Sequence, residues 1–387
     1  MGAVRALVTG LLVLICACGP MSRPALATKP NKGPSPTAVA TPSSPPWVAP
    51  FEAIDFIDRS NGWAVIESDA DKAVEVIRTE DGGATWSAPV KVTSLNVPEG
   101  DNIPPFRVRF TSPQVGWVFG TGVFGTTDGG VSWKASNVPN LTFDIAAVGP
   151  SVWAMAGCDD RNGSACPGTI LQWDDTRGAW SALPHQPVLA SGPFQLIRVS
   201  TSVAYVAQQS EMDTRLVRTT NGGATWTPLE TPCRGFGMPV ATLDGVRLWM
   251  ICPSQPSAGT QAKWTYTSDD AGAHWTLRSY SDGTSNLGSI PLSGCAQWLV
   301  ITTTSTGFLA NDRGDLYRST DHGRTWMALD ISRGEGFFPA LQFVDVATGW
   351  AVAQVPGVTP DYRVGLFRTT DGGATWRVVS SMPGSVL

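Results

Sequence analysis

The sequence is short of charge, of histidine and of long apolar runs, and each shortage closes off a class of function. Only 15% of its 387 residues are charged, and 27 basic against 32 acidic side chains leave a net charge of −5. No basic cluster stands out from that balance, so a nucleic-acid partner has no electrostatic basis. The three histidines, His185, His274 and His322, are scattered along the chain without metal-ligand spacing. GxSxG, P-loop and HExxH motifs are missing, so neither a metal nor a cofactor is expected. The longest apolar run, Ala6 to Cys18, falls short of the ~20 residues that a permanent membrane span needs.

That run, preceded by Arg5, is a targeting segment. Two cleavage sites compete. "ICAC" places the small Ala17 before Cys18 and resembles a bacterial lipobox, with Cys18 as the lipidated residue. "ALA", ending at Ala27, fits an ordinary signal peptidase. Residues 1–27 are therefore taken as signal, and 28–50, opening "TKPNKGPSPTAVATPSSPP", as a Pro/Ser/Thr-rich tether that cannot build a core. Lipidated at Cys18, the chain would sit on a bacterial envelope membrane through that anchor alone; cleaved at Ala27, it would be secreted.

What the sequence has in quantity is Gly (41), Pro (30) and Trp (16), a mixture that suits turn-punctuated all-β architecture. One string recurs: "TEDGGATW" at 79–86, "TTDGGVSW" at 126–133, "TTNGGATW" at 219–226, "SDDAGAHW" at 268–275, "STDHGRTW" at 319–326 and "TTDGGATW" at 369–376. A decayed copy, "WDDTRGAW" at 173–180, fills the gap. Its acid or amide, Asp81, Asp128, Asp175, Asn221, Asp270, Asp321 and Asp371, returns every 46 to 51 residues. A second signal keeps step before each copy: "GWAV" at 62, "GWVF" at 116, "VWAM" at 152, "AYVA" at 204, "LWMI" at 248, "GFLA" at 307 and "GWAV" at 349. Each unit reads as four antiparallel strands joined by hairpins. Seven such units predict an all-β, seven-bladed β-propeller over residues 51–381, with 382–387 as a tail.

The string resembles the Asp-box, or bacterial neuraminidase repeat, and seven copies with "GW-V" strands look most like the photosystem II assembly/stability factor family of propellers. Sialidases, sortilin-type receptors and xyloglucanase-type hydrolases carry the same boxes. The resemblance implies a sialidase-like propeller fold, and for the nearest family a protein-binding assembly role.

The boxes are expected to be structural. Asp and Asn accept hydrogen bonds from backbone N–H groups just ahead of them, and the Ser/Thr hydroxyl closes the other arm. The fifth position is Gly in six copies while the fourth admits Ala271 and His322, which points to a positive φ at the fifth. Blade three, with Trp173 for the hydroxyl, Arg177 for the Gly and Ala179 for the Thr, should keep its hairpin with fewer side-chain bonds. Of the 16 Trp, seven lie in boxes and five in second strands, leaving Trp47, Trp173, Trp264 and Trp298. Most are therefore packing residues rather than a sugar platform.

One face of such a ring carries the short box turns. The other carries the insertions 90–104, 157–168, 207–214, 252–263, 281–296 and 354–363, where binding is expected. The five remaining cysteines fall on that face. Cys158 and Cys166 bracket one loop and are expected to pair; Cys233 can pair with Cys252, with Cys295 competing, and three thiols leave one over.

Sialidase chemistry needs an arginine cluster, a Tyr–Glu pair and an acid. "FRVRF" at 106–110 resembles an Arg-bearing motif of that family, but the other parts do not assemble. Arg107, Arg109 and Arg198 are expected to line the channel beside Asp55, as an ion-pair network or as an anion site. Loop acids that could pair for glycoside hydrolysis are Asp69, Asp71, Glu99, Asp101, Asp159, Asp160, Glu211, Asp213 and Asp361. The expected function is a non-enzymatic envelope scaffold or assembly factor with a protein partner; the alternative is a glycan-active or glycan-binding propeller. Intact-mass analysis separates the two export routes: the lipoprotein route gives a chain starting at lipid-modified Cys18, and an unmodified chain starting at Thr28 contradicts it.

Overall fold

The computed structural model describes residues 51–383 apart from 69–71, 95–104, 137, 139–140, 158–166, 191–193, 210–213, 235–238, 330, 332–339 and 355–362. The targeting segment with Cys18, the tether, and the Cys158–Cys166 pair lie outside the described residues. Seven antiparallel sheets follow one another in chain order, each built from consecutive strands. The first blade sets the pattern with Phe51–Phe56, Gly62–Ser68, Ala73–Thr79 and Val90–Ser94.

The fifth blade departs from it with five strands. Asn286–Leu287 pairs outside Thr276–Ser281, bringing Leu287 opposite Tyr280. The sequence at 281–296 was expected to be a free loop. Asp282 turns it back, its Oδ1 accepting the N–H groups of Thr284 (2.9 Å) and Ser285 (2.7 Å).

First strands contact first strands around the ring, so they line the axis. Second strands are sandwiched between blades: Gly62–Val65 and Gly116–Phe119 are buried on both faces, which is why they read as continuous apolar runs. Each second-strand aromatic reaches into the next blade. Trp63 stacks on Phe110 (centroids 3.6 Å apart, 6° between planes), Trp350 on Phe56 (3.8 Å, 2°) and Phe308 on Phe343 (4.7 Å, 24°). A box Trp closes the stack edge-on, as Trp133 does against Phe110 (6.1 Å, 87°) and Trp376 against Phe343 (5.9 Å, 84°). The second-strand Trp63, Trp117, Trp153, Trp249 and Trp350 are almost wholly buried, whereas most box Trp are half-buried caps.

These stacks explain the glycine of the "GW" strings. Gly116 and Gly349 pair with Phe110 and Phe343, and a Cβ on either would lie 2.5–2.6 Å from the phenyl ring. Only glycine lets the ring lie flat over the neighbouring strand and face the tryptophan.

Among the described residues no strand is exchanged between the ends to close the ring: the first blade uses β-strands from Phe51 to Ser94 and the last those from Ala340 to Pro383. Side chains do the joining. Besides the Phe56–Trp350 stack, Gln342 accepts the Phe56 N–H (2.8 Å) and donates to its carbonyl (3.1 Å), and Arg59 pairs with Asp345 (2.8 Å).

Candidate functional site

Six box turns share one arrangement. In the first, the Thr79 hydroxyl donates to Asp81 Oδ1 (2.8 Å) and accepts the Gly83 N–H (2.9 Å). Asp81 also accepts the Thr85 N–H (2.9 Å) and the Thr85 hydroxyl (2.6 Å). Asp128, Asp321 and Asp371 repeat this set with Ser132, Thr325 and Thr375. At Asp270 the imidazole Nδ1 of His274 replaces the hydroxyl (2.6 Å), and at Asn221 the amide donates to Thr225 (2.9 Å). The acids thus serve their own turns.

The fifth-position glycines have the expected positive φ, from 75° at Gly323 to 96° at Gly83, and blade three keeps its hairpin with fewer side-chain bonds, also as expected; two details go further. The fourth position also has positive φ, 62° at both Ala271 and His322, so conformation alone does not select glycine at the fifth. Contact does: a Cβ on Gly373 would lie 2.5 Å from Phe308, and one on Gly323 2.6 Å from Thr265. In blade three Asp175 lacks the box set and accepts a single bond, from Trp173 Nε1 (2.5 Å). The turn is held one residue earlier, where Asp174 Oδ1 accepts the Thr176 and Arg177 N–H groups (2.9 and 3.2 Å). Without the hydroxyl arm, the acid nearest the end of the strand takes over.

The axis is lined by polar side chains that bridge neighbouring blades. Asp55 is 1% exposed and accepts Arg109 Nη1 (2.8 Å), the Phe110 N–H (2.6 Å) and Gln342 Nε2 (3.1 Å), joining blades seven, one and two. Burial pushes its carboxyl up, while Arg109 and these bonds pull the other way. Asp55 in turn raises the Arg109 guanidinium above its ordinary value. Arg109 Nε reaches the Ile145 carbonyl (3.2 Å), Asp144 accepts the Leu196 N–H (3.0 Å), and Gln195 exchanges two bonds with Val240 (2.8 and 3.1 Å). Arg107 lies over the Trp298 ring, on the first strand of the sixth blade, at 5.5 Å. Innermost strands of adjacent blades have no shared backbone ladder, and these side chains supply the missing bonds.

The structure therefore brings Asp55, Arg107 and Arg109 together but not Arg198. That guanidinium leaves the cluster, donating to the Ser151 carbonyl (2.8 Å) and stacking on Trp153 at 4.0 Å. Asp144, Gln195, Gln342 and Trp298 were missed. A signal existed: Asp55, Arg109 and Gln342 each sit directly opposite a second-strand Trp, a polar residue repeated at one register of an apolar strand.

On the long-loop face, Cys233 and Cys252 form a disulfide with Cα atoms 5.1 Å apart. Cys295 is disulfide-bonded as well, so the expected leftover thiol is not found there. Lys263, fully buried, directs its ammonium at five carbonyls, among them Gln261 (2.9 Å) and Gly294 (2.7 Å), and so pins the 291–294 segment. Burial pulls it down to about 8, against Asp312 and Asp315. Burial, with Glu67 nearby, pushes Glu52 on the innermost strand up to about 7. The nine loop acids considered for hydrolysis lie outside the described residues. Among the described residues no group of three His, Cys, Asp or Glu could hold a metal ion.

Fold and turns together define a seven-bladed propeller whose hairpins are stapled by a recurring acid or amide. No protein-family model matches the chain. In sequence and in structure it is similar to Ycf48 proteins. A photosystem II assembly lipoprotein Ycf48 from a Synechococcus species is 28% identical over 210 residues, 50% of this chain and 54% of that protein. A Paenibacillus xyloglucanase is 28% identical over 252 residues, 54% of this chain and 24% of the enzyme. The matches thus span about half the length of the first relative and a quarter of the second. A solved structure of YCF48 bound to D1 peptide superposes with a TM-score of 0.55 at 24% identity, over 82% of this chain and 95% of the other, a likeness of fold.

The box acids generate a pH prediction. Hydrogen bonds from Ser132 and Thr375, foremost among others, hold Asp128 and Asp371 down at about 2, below the ordinary 3.8. A depressed folded value means that their stabilisation is complete above pH ~4 and lost as pH falls towards 2. Both turns face water, so each effect is small. A variant carrying Asp128→Asn and Asp371→Asn, imitating the natural Asn221, should lose less Tm between pH 4 and 2 than the parent. An unchanged slope contradicts the assignment.

Proposed function

We propose that this protein is a non-catalytic, protein-binding propeller of the cell envelope, a scaffold or assembly factor that works through its long-loop face. The observation that carries this reading is the mutual engagement of the axial charges. The charged side chains of the innermost strands, Asp55, Arg107, Arg109 and Asp144, are engaged with one another and with neighbouring blades. That network leaves recognition to the loops, the place where scaffold-held variability usually carries binding. The sequence likeness to an assembly lipoprotein supports the role. The fold likeness to a propeller with a peptide bound supports a polypeptide partner. Lipidation at Cys18 would hold the ring at a membrane surface, with residues 28–50 as the spacer.

A second reading, glycan binding or hydrolysis, has one observation in its favour besides the xyloglucanase likeness. Glu52, held near 7 beside Glu67, is protonated for much of the time at neutral pH, as a general acid must be. Affinity capture from envelope fractions with the full-length protein, run beside a glycan array and a xyloglucan hydrolysis assay, separates the two. The scaffold reading predicts one protein retained in stoichiometric amount, a blank array and no released sugar. Array binding or hydrolysis lost in Glu52→Gln, with no protein retained, contradicts it.

A further inference from the structure

Just before each box turn, one residue of the third strand faces one of the outer strand, and in six blades that pair carries at most one basic side chain. Arg78 is met by Ser87, whose N–H donates to its carbonyl (2.8 Å); Arg218 stands opposite Thr227 and Arg318 opposite Met327. In blade two the order is reversed, Gly125 facing Lys134, and blades three and five pair Trp173 with Trp180 and Thr267 with Thr276. Only in blade seven do two cations meet: Arg368 stands directly opposite Arg377. Like charges placed so destabilise a sheet unless something neutralises them.

Nothing within the described residues does so. Arg368 lies over Trp350 at 5.2 Å and gives Nη2 to the Arg59 carbonyl of blade one (2.9 Å), an uncharged acceptor. Arg377 is exposed, and among the described residues its guanidinium has no partner. Asp371 is near but serves its own turn: Oδ1 accepts the Thr369 hydroxyl and the Thr375 N–H (2.9 Å each), and Oδ2 accepts the Thr375 hydroxyl (2.6 Å). Both arginines open on one hollow of about 350 Å³, lined besides them by Thr370, Asp371, Thr375 and Val379. Val379 backs it against the box turn of blade one, where a Cβ on Gly83 would lie 3.6 Å away. Thr370 is exposed, and among the described residues its hydroxyl is unengaged.

We infer that this hollow is a phosphate site, in which Arg368, Arg377 and the Thr370 hydroxyl hold one tetrahedral oxyanion, either free or as the headgroup of a phospholipid. The donor set decides the ligand class. One guanidinium fork already occupies both oxygens of a carboxylate, whereas a phosphate group has further acceptor oxygens for a second fork and a hydroxyl. Such an anion also neutralises the opposed pair, so the repulsion that the empty site carries becomes attraction when it is filled. The site lies at a box turn, on the face opposite the long loops, and is independent of the scaffold reading.

The test follows the Arg377 Nε–H and Thr370 amide signals of the full-length protein by NMR during titration with inorganic phosphate at constant ionic strength. Both should shift saturably, with acetate at least about tenfold weaker. Glycerophosphoglycerol, the soluble headgroup of phosphatidylglycerol, identifies the source: tighter binding than inorganic phosphate assigns the site to a lipid headgroup, weaker binding to the free ion. Arg377→Thr, which copies the pairing of Arg218 with Thr227, should bind phosphate at least about tenfold more weakly. With the repulsion relieved, it should also unfold at a higher Tm than the parent in phosphate-free buffer, and phosphate should raise its Tm less than the parent's. Acetate binding as tightly as phosphate, an undiminished response in Arg377→Thr, or no shift at the highest soluble phosphate concentration overturns the inference.

Discussion

The structure depends on one contact made repeatedly: a second-strand aromatic of one blade laid flat on the first strand of the next and covered by that blade's box turn. Blades share no backbone ladder, so nothing else of comparable area joins them. Trp63 against Phe110 and Trp350 against Phe56 show it in full. In both, the indole N–H also donates to the box-turn carbonyl of the following blade, Gly129 or Gly82, at 2.9 Å. The box turn is therefore a device for presenting that carbonyl and a Gly-sized gap at a fixed place. Its acid shapes the turn, and the turn receives the tryptophan. Ring closure between the first and last blades uses the same stack as the junctions of blade one with two and of blade six with seven, so no exchanged strand is needed.

This division of labour separates the molecule into levels. Polar side chains tie the innermost strands of blade seven to one (Gln342), one to two (Asp55), two to three (Arg109), three to four (Asp144) and four to five (Gln195). The middle layer is aromatic, with Arg78, Arg218, Arg318 and Arg368 over the rings of Trp63, Tyr205, Phe308 and Trp350. Variation is left to the two rims, and they differ. The long-loop rim holds the disulfide, the Lys263 anchorage and the insertions, where an extended partner surface can be read. The box rim is repetitive, and its decayed copy lies where blade three receives Trp117 of blade two, with Trp173 and Trp180 packed edge-on against that ring.

How much of this was legible in the sequence follows from what repeats. The blade count, the strand order and the box chemistry could be read because seven copies act as an internal alignment. Even the failure of blade three showed, in Trp173, Arg177 and Ala179. What could not be read depends on contacts between units. Asp144 and Gln342 look like stray polar residues until the neighbouring strand is in place, and Arg198, grouped with Arg107 and Arg109 because all lie on first strands, turns instead to Trp153. Lys263 gave no signal, since five carbonyls from two segments meet only in the folded chain. The extra strand of blade five was hidden for a similar reason: an Asp turn folds a polar segment back on an edge that only the sheet provides.

The central claim is that blade junctions rest on the aromatic stack, and a double-mutant cycle on Trp63 and Phe110 measures it directly. Trp63→Leu, Phe110→Leu and the double variant would be compared by denaturant unfolding. The account predicts a coupling of about 0.5–1.5 kcal/mol between the two rings, with each single variant strongly destabilised. Strictly additive effects, or single variants as stable as the parent, would contradict it.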